Sequence, residues 1–227
     1  MKKIKYISEI INFFDEPSQQ NLLVLDIDNT ILKSETFLGS DQWYTWQSIL
    51  VKEQDSQAVA DNMKHLNKII NDMFCHLQYQ LCESDLPTTL SKLKKNNVEI
   101  ILLTARGNKC HQNLKDTLLK FNVSQYLNTS FSFLSSNSTS YQDGIIYCSG
   151  SHKGKILKSF LEQNQYIPNQ IVFVDDKSKN LEHVLKFLPQ THVFICTNQY
   201  ENIWLFSQSD KDKVTQEYEN YLKKYCN

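Results

Sequence analysis

The chain has 227 residues, 41% hydrophobic and 11% aromatic: ample apolar material for one large core, but too short for two full domains when single cores grow to ~250 residues. Lys+Arg 24 against Asp+Glu 25 leaves a formal net charge of -1 with no long run of one sign. That excludes dominant disorder and any global field drawing in nucleic acid or anionic lipid, and apolar runs such as Leu22 to Leu25 are far too short for a membrane span.

The first twenty residues begin with lysines as a signal peptide does, but Glu9 interrupts the would-be apolar region and no small-residue cleavage site follows. Ile7, Ile10, Ile11 and Phe14 predict an amphipathic helix instead. Residues 21–28, NLLVLDID, read as a buried strand that ends in acids. Residues 33–83 then occupy roughly fifty positions where a strand-to-helix link usually takes ~2 to 6. Their aromatic cluster, Trp43, Tyr44 and Trp46, precedes a helical pattern over 57–78. The expectation is a helical cap over residues 33–83, inserted into a core made of residues 1–32 and 84–227.

Farther along, Leu86, Leu90 and Leu93 follow Pro87 in a helix over 86–97, and residues 98–106 form a second buried strand. Leu114, Leu118 and Phe121 mark a helix over 109–121. A Ser/Asn/Thr-rich tip and Asp143-Gly144 predict a hairpin over 129–150. Helices over 154–165 and 178–188 alternate with strands over 170–176 and 191–198, and residues 211–225 suggest a final amphipathic helix that packs on the sheet or serves a partner. Such alternation predicts an α/β fold, a Rossmann-like doubly wound parallel sheet with the helical cap after its first catalytic strand. In that fold the carboxyl ends of the strands share one edge, where polar residues converge.

The six cysteines, at 75, 82, 110, 148, 196 and 226, form no CxxC pair and no zinc spacing. Reduced packing cysteines in a cytoplasmic setting are expected, although export by a non-classical route needs no cleavable leader. The histidines show no HxxH or HExxH grouping, so zinc chemistry has little support.

The first strand ends in Asp26, Asp28 and Thr30. In a continuing strand, positions i and i+2 share a face, which would place two carboxylates at one buried edge and call for a cation or a retained proton. Alone, DxDxT is as readily a turn or a helix cap. The other strand ends change that balance: residue 104 is Thr, followed by Ala105, Arg106 and Gly107, and the strand at 170 ends in Asp175 and Asp176. Between them Lys153 stands at a helix start beside Gly154, with Lys155 a less favoured alternative.

This ordered set of DxDxT, strand-ending Thr, helix-starting Lys and strand-ending DD resembles the haloacid dehalogenase superfamily from about residue 21 to 199. DIDNT, LGSDQW, LTAR and VFVDD resemble, more narrowly, a poorly characterised bacterial family within it. The resemblance implies that Asp26 is the nucleophile on phosphorus, that Asp28 is the proton donor and then the base, and that Thr104 and Lys153 hold the phosphoryl group. It implies Mg²⁺ bound by the Asp26 carboxylate, the Asp28 carbonyl and Asp175, with Asp176 in support. Acid two residues after the nucleophile is similar to the phosphatase pattern.

Further substrate contacts are expected from Thr30, Ala105, Arg106, Asp41 and Trp43. Arg106 either faces a substrate phosphate or pairs with an acid at the sheet edge, Asp41 contacts substrate or caps a helix, and Asn180 orients a metal-bound Asp or caps its helix. At least one of the cap aromatics belongs to the core. The expected partner is a small phosphorylated substrate, with no nucleic acid, no membrane span and no indicated protein partner. A signalling receiver places its acidic pair first and its phosphorylated Asp later, the reverse of the order here. A catalytically silent protein-binding relative and a protein phosphatase stand as alternatives.

Overall fold

Strand β2 (Asn21–Leu25) is buried along its whole length, as a strand covered on both faces must be. Leu23 and Leu25 enter one core cluster, Leu22 and Val24 the other. The computed structural model describes residues 1–14, 20–133, 139–197 and 206–226. Around β2 lie β1 (Lys2–Ile4), β5 (Val98–Thr104), β6 (Ser140–Gln142), β7 (Ile145–Tyr147), β8 (Gln170–Asp175) and β9 (His192–Cys196). Their order is β1-β9-β8-β2-β5-β7-β6, parallel except for the β6–β7 hairpin. The chain leaves β2 toward β5 and β7, then returns to β8 on the other side of β2. The strand order reverses between β2 and β8, which opens a crevice at their carboxyl ends.

The excursion after β2 rises on a two-stranded stem, β3 (Leu32–Ser34) against β4 (Tyr79–Leu81), with Leu32 opposite Leu81. Between them stand α1 (Asp41–Glu53), capped where Ser40 Oγ accepts from Trp43 N at 3.2 Å, and α2 (Met63–Met73), where Asn62 Oδ1 accepts from His65 N at 3.0 Å. The helix expected over 57–78 is therefore shorter at both ends. Its first residues are tied elsewhere, Gln57 N to Asp55 Oδ1 and Val59 N to Gln47 Oε1, and the Asn62 side chain competes with any earlier start.

Helices α3 (Leu86–Lys95) and α4 (His111–Lys120) cover one face of the sheet through Leu90, Leu93, Leu114 and Leu118. On the other face, α5 (Lys153–Gln163) and α6 (Ser178–Phe187) supply Leu157, Phe160, Leu181 and Val184. Gly154 lets these two helices touch, because a Cβ there would overlap the His183 carbonyl. The hairpin turns at Asp143 (φ 50°) and Gly144 (φ 87°), the left-handed pair that a two-residue turn requires. Part of its expected Ser/Asn/Thr-rich tip, residues 134–138, lies outside the described residues.

Three expectations are revised. The N-terminal helix is a short 3₁₀ segment, Ile7–Phe13, which still buries Ile7 and Ile10. Ahead of it Lys2–Ile4 forms an edge strand that two lysines conceal in the sequence, as charges do at sheet edges. The last helix, α7 (Gln208–Tyr225), packs on the excursion: Tyr218 meets Trp43, Tyr225 stacks on His76 at 4.0 Å between centroids, and Glu217 Oε2 accepts from Leu38 N at 3.3 Å. Finally, Cys75 and Cys110 are joined in a disulfide, so the reduced state expected of all six cysteines is corrected. Cys82, Cys148, Cys196 and Cys226 are not joined in a disulfide.

Candidate active site

Asp26 extends the ladder past β2, its N–H donating to Val174 O at 2.9 Å. That fixes its carboxylate at the crevice between β2 and β8. Lys153, the first residue of α5, sends its Nζ to Asp26 Oδ1 and to Asp175 Oδ2, the latter at 2.7 Å. Lys155 points to solvent. Asn180 Nδ2 donates to both oxygens of Asp175 at 2.9 and 3.0 Å, which makes it an orienting residue for that acid.

Asp26, Asp175 and Asp176 are all buried and offer carboxylate oxygens within 4.8 Å of one another. Burial and the neighbouring Asp175 push Asp26 up to about 7, and burial and Asp26 push Asp176 up to about 9. Although burial opposes its charge, Asp175 and Asp26 push the Lys153 ammonium up. One lysine does not balance three acids, and Asp176 Oδ1 is buried without a hydrogen-bond partner. A cluster of oxygen donors with an orphaned carboxylate oxygen suits a hard divalent cation.

Asp28 departs from the expected geometry. The strand has ended, and Thr30, Ile31 and Leu32 N–H groups all turn back on Ile27 O. The same-face argument therefore fails, and the Asp28 carboxylate leaves the other acids for Arg106, which donates from Nε at 3.0 Å and from its terminal nitrogen at 2.5 Å. Burial disfavours the Asp28 charge, yet Arg106 holds its carboxyl below the usual range. Arg106 thus pairs with an acid. Its guanidinium lies 4.1 Å from the Phe74 ring centre and 4.9 Å from that of Tyr79, so the excursion supplies its aromatic seat.

Thr104 lies beneath, fully buried, its Oγ1 accepting from Arg106 N at 3.2 Å. The loop after β7 fastens the same turn from the other side, with Gly150 N on Ala105 O and Ser149 N on Arg106 O. Above these groups is a cavity of about 510 Å³. Asp26, Asp28, Lys153, Ala105, Arg106 and Asp41 all reach it. Asp41 is not the cap of α1, a role Ser40 fills; it accepts from Asn29 Nδ2 at 3.0 Å and pairs with Lys177 Nζ at 2.7 Å.

Three residues expected to contact substrate do not line the cavity: Thr104, already placed beneath it, Trp43 and Thr30. Trp43 is buried against Tyr218, on the side of α1 that also buries Gln47 and Leu50, while its neighbour Tyr44 faces the cavity. Thr30 is fully buried and its Oγ1 reaches Asp26 Oδ2 at 3.5 Å. Lys177, Phe74 and Tyr79 were not singled out in the sequence. Lys177 directly follows the acid pair and was the one with a positional signal; the two aromatics carry no motif.

The pattern of the family described as "Protein of unknown function (DUF2608)" matches residues 3–226. The chain belongs to that family. Two curated relatives, each named "Putative outer membrane protein", are 24% identical in Chlamydia muridarum and 22% in Chlamydia trachomatis, over 84% of this chain and 72% of theirs. Among solved structures, the chain is similar to a dehalogenase (13% identity, TM-score 0.46, 76% of this chain and 83% of that one). It is similar also to the HAD domain of the effector protein Lem4 from Legionella pneumophila (16%, TM-score 0.41, 88% and 98%). The cytoplasmic placement expected from the sequence is corrected by the outer-membrane name of these two curated relatives. No helix among the described residues is long and apolar enough to cross a membrane.

Proposed function

We propose that this chain is a Mg²⁺-dependent phosphatase of the haloacid dehalogenase kind, hydrolysing a small phosphomonoester through an aspartyl-phosphate, with residues 33–83 as its cap. The observation that carries the reading is the position of Asp26. Its carboxylate stands at the end of the central strand, on a cavity, bonded to Lys153 and backed by Asp175 and Asp176. Asp26 attacks phosphorus, the bond to the leaving oxygen breaks, and that oxygen takes a proton from Asp28. Water then attacks the aspartyl-phosphate, giving its proton to Asp28 and releasing phosphate and free Asp26. Lys153 offsets charge on the phosphoryl oxygens, and Thr104, buried beneath the cavity, accepts from Arg106 N and so shapes the turn that carries Arg106.

The Asp26 and Asp175 carboxylates and the Asp28 carbonyl would hold Mg²⁺, with Asp176 in support; when bound it neutralises carboxylate and phosphoryl charge together. Gripped by Arg106, Asp28 is ready as the base of the second step. For the first step the guanidinium must be drawn away, and phosphoryl oxygens arriving in the cavity that Arg106 lines are suited to do so.

A screen of phosphorylated sugars, nucleotides and amino acids with Mg²⁺, using wild type and Asp26→Asn, tests the reading. Phosphate release that depends on Asp26 is expected, and release unchanged in Asp26→Asn removes the nucleophile. The Arg106 grip on Asp28 favours a second reading, a silent binding module, which no turnover on any substrate would support.

A further inference from the structure

The roof of the cavity is fastened to its floor by a covalent bond. Cys75 follows α2 directly after Phe74, the ring on which Arg106 rests, and Cys110 ends the short 3₁₀ turn Asn108–Cys110 that follows Arg106 and Gly107. Both cysteines are partly accessible. Around the bridge, Lys109 pairs with Asp72, and Asn113 Nδ2 donates to Phe74 O at 2.8 Å and to Leu77 O at 3.1 Å. Besides the disulfide, that edge of the roof carries the solvent-exposed Lys109–Asp72 pair, the Asn113 bonds and the Phe74 ring on Arg106, and Tyr225 stacks on His76 beside the bridge. Exposed ion pairs hold weakly. On the opposite edge Asp41 meets Lys177 and Asn29.

We propose that Cys75–Cys110 is a redox modification site that positions Phe74 on Arg106, and through Arg106 the Asp28 carboxylate, so that its reduction loosens the roof and lowers turnover. The bond closes a loop of 35 residues between excursion and core, and breaking it returns to that loop the freedom the crosslink removes. The reductant is a dithiol. Its thiolate attacks one sulfur of the bridge and forms a mixed disulfide; its second thiol displaces the protein sulfur. The dithiol is oxidised to a disulfide while Cys75 and Cys110 receive two electrons and two protons as thiols.

The activity arm of the test rests on the phosphatase reading; the structural arm does not. Protein purified without reductant and then denatured should show four titratable thiols, those of the cysteines outside the bridge, Cys82, Cys148, Cys196 and Cys226, whereas six would overturn the bridge. Dithiothreitol, or the variant Cys75→Ser/Cys110→Ser, should raise hydrogen exchange across residues 63–81; unchanged exchange in both would overturn the tether. With p-nitrophenyl phosphate and Mg²⁺, reduction should lower kcat/KM by about 10- to 100-fold, the range expected for a displaced catalytic group. The double Ser variant should show the lower value without reductant and ignore dithiothreitol. Equal activity in both redox states overturns the positioning role. Absence of activity in either state defeats the phosphatase reading, and the exchange measurement still decides the tether.

Discussion

Arg106 grips both carboxylate oxygens of Asp28, 78 positions earlier in the chain, from a seat formed by Phe74 and Tyr79. The pair joins three parts of the molecule: the turn after β2, the turn after β5 and the excursion. A bidentate guanidinium fixes the plane as well as the position of its carboxylate. Lysine would supply the charge without the plane, and would lose much of the flat contact with the two rings.

Arg106→Lys should therefore lower kcat/KM by about 10- to 100-fold while leaving the fold intact. Steady-state kinetics on the best phosphomonoester from the screen checks it. Wild-type kinetics in Arg106→Lys would show that Asp28 needs no such alignment.

The acid cluster makes a prediction that needs no substrate. Asp26, Asp175 and Asp176 repel one another in a buried site, with Lys153 as the cation bonded between two of them. Saturating Mg²⁺ at 100 times its dissociation constant stabilises a protein by about 2.7 kcal/mol. For a chain of this size that is a rise in Tm of about 5–10 °C. Thermal unfolding with Mg²⁺ and with EDTA measures it. Asp175→Asn should abolish most of the rise, and a wild type indifferent to Mg²⁺ would remove the metal from the proposal.

The convergence of Asp26, Thr104 and Asp175 was legible because parallel strands place their carboxyl ends on one edge, and each strand announced itself as an apolar run. Lys153 was legible for a related reason: a helix that starts beside that edge aims its first side chain inward. The Asp28–Arg106 pair was half legible, since an acid partner for Arg106 was one of two readings and the partner's identity depends on a turn at Ile27 that alternation did not foresee. Phe74, Tyr79 and the Cys75–Cys110 bridge were not legible. Their partners are reached only when the excursion folds back on the core, and no local period encodes that return. Strand β1 was hidden by the lysines that suit it to an edge.

Gly154 should tolerate no side chain. A Cβ there overlaps the His183 carbonyl of α6, a backbone neighbour that cannot swing aside. Gly154→Ala would push α5 from α6, costing about 1–3 kcal/mol. Because Lys153 is the adjacent residue, activity should fall further than stability alone explains. Urea unfolding and kinetics on the same preparation separate the two; a variant of full stability would show that the helices have room to part.

Glu83 links stability to pH away from the acid cluster. It is 3% exposed, its Oε1 accepts from Ile7 N at 2.7 Å, and its Oε2 has no hydrogen-bond partner. Burial pushes its carboxyl up from 4.5 to about 7. Between those values the folded chain holds a proton that the unfolded chain has released. The contribution is therefore fully present below about 4.5 and is lost as pH rises through about 7. Glu83→Gln keeps an acceptor for Ile7 and carries no charge at any pH. At pH 8 it should be more stable than wild type by up to about 3 kcal/mol, and the advantage should vanish below pH 4.5. Urea midpoints of both proteins at the two pH values test this, and a gap that stays constant with pH would mean that Glu83 titrates in the fold as it does in water.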